Sequence, residues 1–512
     1  MIILLSAQYI TEGLRTEVGD IPLAFLPLSN KRLYRFQIEF LSRYLPDRKF
    51  FISLPADYPV SEPECRWFIS NGVKILRIER AESYGHEMSL ALEQVSDYNH
   101  GVTFLLGSCM PTIIPKQSDV VGTFHTDLEP NLPILSFGLE KDHVWSGILS
   151  FSNCDLLKQC LVLESNDYVR AVRRYSFEKR LEFLEMKEVY VTTNMMTYLH
   201  ARSNFTTERA FNSLTVDRNV VTKISCDSAK IKAEAWWYQN IPRKLRRYAP
   251  QFIEEGQADG SYFYSIEYLM ALPMNELYVY GRRTVVFWRR FFQKMTQFFL
   301  EARTHSCLEI PESKSNFSLF VSKTIRRLDL FVNQTGFDIK KKYVFNDDNV
   351  ASLVDILDAS VAALNPLPNI PGIVHGDLCL SNILYDSRGQ VFKIVDPRGM
   401  DPVGENMMHA TQLYDYAKLA HSVIGLYDHI VAGQFSLSIF GNKISLGIYG
   451  DSDLVEIQQL FINTCFIPGI RSQEVQSILP LLFISMLPLH VDNKERQMAL
   501  LANIFRLNSL ME

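Results

Sequence analysis

The chain has 512 residues, 47% of them hydrophobic and 21% charged, with a formal net charge of −5. That length allows two or three domains, each with its own core. The mildly acidic balance supplies no basic face and excludes nucleic acid as an expected partner.

The eight cysteines show neither CxxC spacing nor metal-ligand clustering. They read as reduced thiols in a cytoplasmic protein, not as a disulfide framework or a zinc site. Met1-Ile-Ile-Leu-Leu-Ser6 lacks the basic flank and length of a signal peptide and reads as a first buried strand. The longest apolar stretch, 478–490, contains Pro480 and Pro488 and falls short of a membrane span. A core helix is expected there.

Through the first 200 residues strand and helix patterns alternate. Strands are expected at Ile2–Ser6, Phe50–Leu54, Val73–Ile78 and Val102–Leu106, with helices at 31–41 and 86–96 between them. Later strands at 134–139, 145–151 and 188–192 would extend the set. This βαβ rhythm predicts a mainly parallel sheet covered by helices. Ile2-Ile-Leu-Leu-Ser-Ala7, Asp20-Ile-Pro-Leu-Ala-Phe-Leu-Pro-Leu28, Phe104-Leu-Leu-Gly-Ser108 and Ser146-Gly-Ile-Leu-Ser-Phe151 together resemble the sugar nucleotidyltransferase family, with its Rossmann-like sheet.

The residues that carry that family's chemistry are replaced. Ser6-Ala-Gln-Tyr9 stands where the family has a glycine-rich triphosphate loop, Leu23 where it has a lysine, and Ser108 where it has a metal-binding aspartate. Nucleotidyl transfer without that lysine and carboxylate has little to neutralise pyrophosphate charge. The expectation for residues 1–197 is therefore a half without its original activity, kept for binding or scaffolding. Glu12, Arg15 and Asp20 read as loop charges that solvate their loop.

From about Tyr198 the pattern changes. Phe211–Val216 and Val220–Ser225 flank the turn Asp217-Arg-Asn219, a hairpin with Lys223 inside its second strand. A lysine there can point into a cleft and neutralise α/β-phosphates. Asp227 or Ser228 would cap a helix to about Asn240 that carries Glu234, placed to hold the lysine by an ion pair. Ser203-Asn204-Phe-Thr206-Thr offers hydroxyls and an amide for a phosphate-covering loop without glycine. The strand ending Glu267-Tyr268-Leu269 resembles, by its order along the chain, the hinge that joins the lobes of kinases, which implies backbone groups offered to an adenine. Helices are expected at 285–303, 318–334 and 349–364.

The densest chemistry lies in His375-Gly376-Asp377-Leu-Cys-Leu-Ser-Asn382, followed by the apolar strand Val391–Val395 and Asp396. Phosphoryl transfer needs a carboxylate facing the acceptor hydroxyl, and an amide oxygen plus a second carboxylate on Mg²⁺. His-x-Asp with Asn five residues on and Asp a strand later is the order of the kinase catalytic loop. With Gly after the His, and a hydrophobic run after the Asn, the stretch resembles the aminoglycoside phosphotransferase and choline kinase-like family. Asp415-x-Ala417-x-Leu419 is similar to that family's next helix, whose aspartate braces the catalytic loop.

The resemblance implies a bilobal α+β protein-kinase-like domain over 198–512, with an N-lobe to about 270 and a C-lobe from 271. It implies ATP and Mg²⁺ as cofactors, and Asp377 as the catalytic acid–base residue. Asn382 and Asp396 would be the metal ligands, with Lys223, Glu234, Ser203, Asn204, Thr206, Glu267, Tyr268 and Leu269 around the nucleotide. His375 and Asp415 would be supports. Arg398, two residues past Asp396, would meet an anionic substrate or pair with Asp401 or Glu405.

The expected activity is phosphorylation of a hydroxyl on a sugar, sugar phosphate or amino alcohol. Fusions of these two halves resemble proteins of bacterial capsule and surface-polysaccharide biosynthesis, where other synthesis enzymes would be partners. The competing expectations are a nucleotidyltransferase with unfamiliar catalytic groups and a non-catalytic nucleotide-binding assembly protein. The residues after 413 are expected to be helical and amphipathic throughout.

Overall fold

The computed structural model describes residues 1–79, 81–95, 101–126, 132, 143–204, 212–217, 219–225, 227–258, 260–305, 309–387 and 389–510. The chain divides into two compact units: residues 1–206 with 280–282, and 207–279 with 283–512. The expected boundary after residue 197 falls inside the helix Met195–Asn204 of the first unit. Among the described residues no helix is long and apolar enough to cross a membrane. The described cysteines are unpaired thiols.

In the first unit the strands Ile2–Leu5 (β1), Phe50–Pro55 (β2), Val73–Ile78 (β3), Val102–Leu106 (β4), Val120–His125 (β5), His143–Phe151 (β6) and Glu182–Met186 (β7) form one sheet in the order β7-β5-β6-β4-β1-β2-β3. β1 is parallel to both β2 and β4, with Ile3 opposite Phe51 and Phe104. β2–β3 and β5–β7 are also parallel. Every residue of β1 and β2 is buried, as expected for strands covered on both faces.

The sheet is mixed, because β6 runs against both neighbours. Between β4 and β6 the described chain contains no helix, and a strand without a crossover helix returns antiparallel. The expected strand at 134–139 lies outside the described residues. That at 188–192 is shorter and pairs apart from the main sheet, as Val189–Val191 against Cys109–Pro111.

One carboxylate organises the turn after β1. Glu87 lies in the helix Tyr84–Gln94 (α1), which is capped by Ser83. Glu87 Oε1 accepts hydrogen bonds from Ala7 N (2.7 Å) and Ser53 Oγ (2.6 Å), and Oε2 accepts one from Gln8 Nε2 (3.3 Å). Burial pushes this carboxyl up to about 7, against the opposing effect of those donors.

The second unit opens with an antiparallel sheet of Asn212–Asp217 (β8), Val220–Ser225 (β9), Phe252–Ala258 (β10) and Ser261–Glu267 (β11), in the order β8-β9-β11-β10. The helix Ser228–Asn240, numbered α3 after Met195–Asn204 (α2), packs on β11 and buries Ile231, Glu234, Trp237 and Tyr238. Beyond it, the hairpin Ile383–Asp386 (β12) and Val391–Ile394 (β13) stands among helices. One of these, Gln412–Val423 (α4), is buried along its whole length. The expected core helix is Ser472–Met486, continued by a 3₁₀ turn at Leu487–His490. It packs against Lys323–Thr335, Leu353–Leu364 and α4.

Two expectations need correction here. Residues 435–448 are not helical: Phe435–Phe440 and Lys443–Ile448 form a hairpin, which joins Tyr343–Phe345 and Asp348–Val350 in a four-stranded sheet. Phe-Ser-Leu-Ser-Ile alternates with period two and Gly441-Asn442 turns the chain, so local pattern and sheet agree. The helix expected from 318 is α-helical only from Lys323, after a π-helical segment at Phe317–Ser322.

Because Glu87 titrates near 7 when folded and near 4.5 in its ordinary state, the folded protein holds this proton more tightly. Its contribution to stability is therefore complete below about pH 4.5 and declines as pH rises to about 7, by on the order of 3 kcal/mol at most. Glu87→Gln keeps an acceptor for Ala7 and Ser53 and removes the titration. Unfolding of the first unit, followed by denaturant melts from pH 4.5 to 7.5, should show the variant gaining on the wild type with rising pH. A constant difference across that range would refute the role given to Glu87.

Candidate active site

The hairpin β8–β9 places Lys223 in mid-strand, opposite Tyr264 of β11. Its face of the strand is covered, since Lys223 and Ser225 are both buried. α3 starts at Asp227, whose side chain accepts from Lys230 N at 3.2 Å, an N-cap that directs Glu234 two turns later toward the strand. Lys223 Nζ donates to Glu234 Oε2 at 2.7 Å and to Asp396 Oδ1 at 3.1 Å. Tyr264 donates its hydroxyl to the same Glu234 oxygen at 2.9 Å. Burial opposes the Lys223 charge, yet Asp396 and Glu234 together hold its ammonium above the ordinary value.

Asp396 ends the run after β13 with a φ of +58°, a left-handed conformation that aspartate tolerates better than most residues. Its N–H donates to the Tyr238 hydroxyl of α3 at 3.0 Å. Two neighbours tie the same segment to α3. Gly399 has a φ of +65°, and a Cβ there would lie 2.1 Å from Ala233 O. Trp237 Nε1 donates to Val374 O at 2.9 Å. The helix bearing Glu234 is thus fixed to both arms of the loop bearing Asp377 and Asp396.

The loop His375–Asn382 is braced from below. Asp415 on α4 accepts from His375 N at 2.6 Å and from Gly376 N at 2.8 Å. Burial lifts that carboxyl to about 7. His375 is buried and neutral, its titration pushed down to about 4 by burial. Its Nε2 meets Val395 O at 2.9 Å and its Nδ1 accepts from Asp377 N at 3.3 Å, which assigns the proton to Nε2. Asn382 Nδ2 donates to Asp377 O at 2.9 Å. Asn382 Oδ1 and the half-exposed Asp396 carboxylate, which also holds Lys223, are hard oxygen atoms of the kind Mg²⁺ takes.

Asp377 is itself half-exposed and pairs with Lys418 Nζ at 2.8 Å. Burial works against its charge, but Lys418 holds the carboxyl well below the usual range. Lys418 was not among the residues expected at the site. Its signal is a lysine inside the otherwise apolar Tyr416-Ala-Lys418-Leu-Ala420 of a fully buried helix, a position that demands an acid partner. Tyr238 and Tyr264 were likewise not anticipated. Both lie in aromatic segments that read as plain core.

Other expected residues are placed differently. Ser203 and Asn204 stand not in a loop but in the last turn of α2, in the first unit. Ser203 Oγ and Asn204 Nδ2 both donate back to His200 O, at 2.7 and 3.0 Å, and so prolong the helix instead of opening it. Thr206 lies outside the described residues.

Glu267 ends β11 with its carboxylate accepting from Gln251 N at 3.2 Å, and Tyr268 N donates to Asn219 O at 2.8 Å. Leu269 O accepts from Ala271 N at 2.8 Å. These three form the extended passage from the four-stranded sheet to the helices. Arg398 makes no ion pair with Asp401 or Glu405. Its Nε donates to Met400 O at 3.2 Å, while Asp401 caps its own turn through Val403 N and Glu405 N.

In the first unit, the positions matched to nucleotidyltransferase chemistry hold other groups. Leu23 is buried in a 3₁₀ turn. Ser108 is buried with its Oγ 3.3 Å from the Tyr84 hydroxyl. Ala7 N–H points at Glu87, where a phosphate cradle would need it open. Arg15 and Asp20 pair at the surface at 3.1 Å, and Glu12 is exposed.

No family model matches the chain, and no curated protein matches it. Among solved structures, the chain is similar to an aminoglycoside phosphotransferase APH(4)-Ia mutant captured with AMP-PNP and hygromycin B. The identity is 12%, the match covers 59% of this chain and 92% of that one, and the TM-score is 0.38. It is similar to the GDP complex of an aminoglycoside 2'-phosphotransferase-IIIa mutant at 13% identity, covering 59% and 90%, with a TM-score of 0.35. It is also similar to a nucleoside-diphosphate-sugar pyrophosphorylase from Vibrio cholerae RC9 at 14% identity, covering 40% and 99%, with a TM-score of 0.30. These are distant, partial likenesses, and the chemistry of the chain rests on its own geometry.

Proposed function

We propose that the second unit is an ATP-dependent small-molecule kinase that phosphorylates an alcohol. The observation that carries this reading is the joining of Lys223, Glu234 and Asp396 through one ammonium, beside a loop that presents Asp377 and Asn382. A lysine held between a helix glutamate and the aspartate after a strand is the arrangement that positions nucleotide phosphates for transfer. Asn382 Oδ1 and Asp396 would hold Mg²⁺, which when bound neutralises charge on the phosphates.

The roles of the chain's own groups follow from their environments. Asp377 is ionised and a weak base, because Lys418 stabilises its charge. It orients the acceptor hydroxyl and receives its proton late, as the new O–P bond forms to the γ-phosphorus and the bond to the β,γ-bridging oxygen breaks to release ADP. A loose transition state makes an early, strong base unnecessary. Neutral His375 does not exchange protons with substrate: both ring nitrogens are engaged by the loop. Lys223 neutralises phosphate charge, and Glu234 places it.

The acceptor belongs to the sugars, sugar phosphates and amino alcohols, and the resemblance to surface-polysaccharide proteins supplies its proposed setting. For the first unit we favour a role without nucleotidyl transfer, since Leu23, Ser108 and the Glu87-bound turn replace charged or open groups.

Asp377→Asn should lower turnover by roughly 10²–10⁴-fold while nucleotide affinity stays within a few-fold of wild type. ATP consumption undiminished in that variant would sink the assignment. Asp396→Ala should remove most of the Mg²⁺-dependent part of nucleotide binding, as seen by titration with and without the metal. Gly399→Ala drives a methyl group into Ala233 O and displaces the Glu234 helix. Stability should fall by about 1–3 kcal/mol, with nucleotide affinity falling too. Wild-type affinity in that variant would show that α3 does not depend on this contact.

A further inference from the structure

Around Asp377 the second unit gathers more positive charge than its acids balance. Lys323 and Arg327 lie one turn apart on the helix Lys323–Thr335, which begins directly after the π-helical segment Phe317–Ser322. Tyr414 and Lys418 lie one turn apart on α4. The two helices meet where Lys323 Nζ donates to the Tyr414 hydroxyl at 2.8 Å, and Lys418 continues from there to Asp377. Arg398 closes the group from the other side: a Cβ on Gly376, the residue before Asp377, would lie 2.8 Å from Arg398 Cβ.

Of these cations, Lys418 is the one with a carboxylate. Among the described residues, no acid lies within ion-pair distance of Lys323, Arg327 or Arg398. Arg327 and Arg398 each give a hydrogen bond to a backbone carbonyl, Ser485 O at 3.1 Å and Met400 O at 3.2 Å. Those contacts hold one nitrogen of each guanidinium group without neutralising its charge. Lys323 is only 8% exposed, so it is shielded from water as well.

We propose that the phosphoryl acceptor is an alcohol that already bears a phosphate monoester, and that Lys323, Arg327, Arg398 and Lys418 hold this second phosphate beside Asp377. The proposal rests on the kinase reading and deepens it by naming the substrate class. Two planar guanidinium forks and two ammonium groups match a tetrahedral dianion better than a single carboxylate. A cationic amino alcohol would meet repulsion from the same groups. Burial, and then Arg398, Arg327 and Lys418, push the Lys323 ammonium well below its ordinary value. An anion at this place relieves that repulsion, so binding and charge stabilise each other.

The probe is inorganic phosphate, added to the full chain at constant ionic strength against chloride, with Mg²⁺ and a non-hydrolysable ATP analogue already bound. Phosphate should raise the melting temperature of the second unit by about 2–4 °C at saturation. Arg327→Gln and Arg398→Gln should abolish the rise. Both positions are partly buried, outside the fully buried core, and retained binding of the ATP analogue verifies that each variant is folded. A phosphate effect that is absent, or equal in the variants, overturns the pocket while leaving the kinase reading intact. Failure of the wild-type chain to bind the ATP analogue overturns the kinase reading, and the acceptor assignment falls with it.

Discussion

The second unit depends on one ammonium group. Lys223 Nζ sits between Glu234 and Asp396, and these three residues come from a strand, a helix and the end of a distant hairpin. Removing the lysine leaves the buried Glu234 and the half-exposed Asp396 without their shared counter-charge, which costs more than the pairs contribute. The surrounding tyrosines make the same point. Tyr264 and Tyr238 give the Glu234 carboxylate and the Asp396 amide their remaining hydrogen bonds, so the ion pair is embedded in a satisfied polar network.

The loop His375–Asn382 is held by a second device of the same kind. Asp415 takes two consecutive backbone N–H groups of the loop, and α4, which carries it, is buried from end to end. The same helix brings Lys418 to Asp377 and Tyr414 to Lys323. One helix therefore braces the loop's backbone, supplies the counter-charge of its aspartate and fixes the position of a neighbouring cation. Site geometry and core packing share this element, and its burial strengthens the interactions of its polar residues.

In the first unit a carboxylate does the opposite job. Glu87 occupies donors at the turn after β1 that a phosphate-binding turn would leave open. The mixed sheet of the first unit stands without charges at this turn that would serve a triphosphate.

What the sequence alone determined was local. Order and spacing were enough to identify His375, Asp377, Asn382 and Asp396 as one loop, because residues on a short loop and hairpin stay together whatever surrounds them. Lys223 and Glu234 followed from the strand–helix pattern. Apolar periodicity located the parallel strands β1 to β4 and several of the helices but not the parallel pair β5 and β7, while the period-two alternation at 435–448 was a legible strand signal that a general helical expectation overrode.

Tertiary structure decided what depends on distant residues meeting. It turned β6 against its neighbours, put Ser203 and Asn204 in a helix end, and denied Arg398 its acid partners. It also brought Lys418 and Lys323 to Asp377 from helices about 40 and 50 residues away in the chain. No local pattern encodes such meetings, because the low-dielectric setting that gives a buried lysine its partner exists only once the helices have packed.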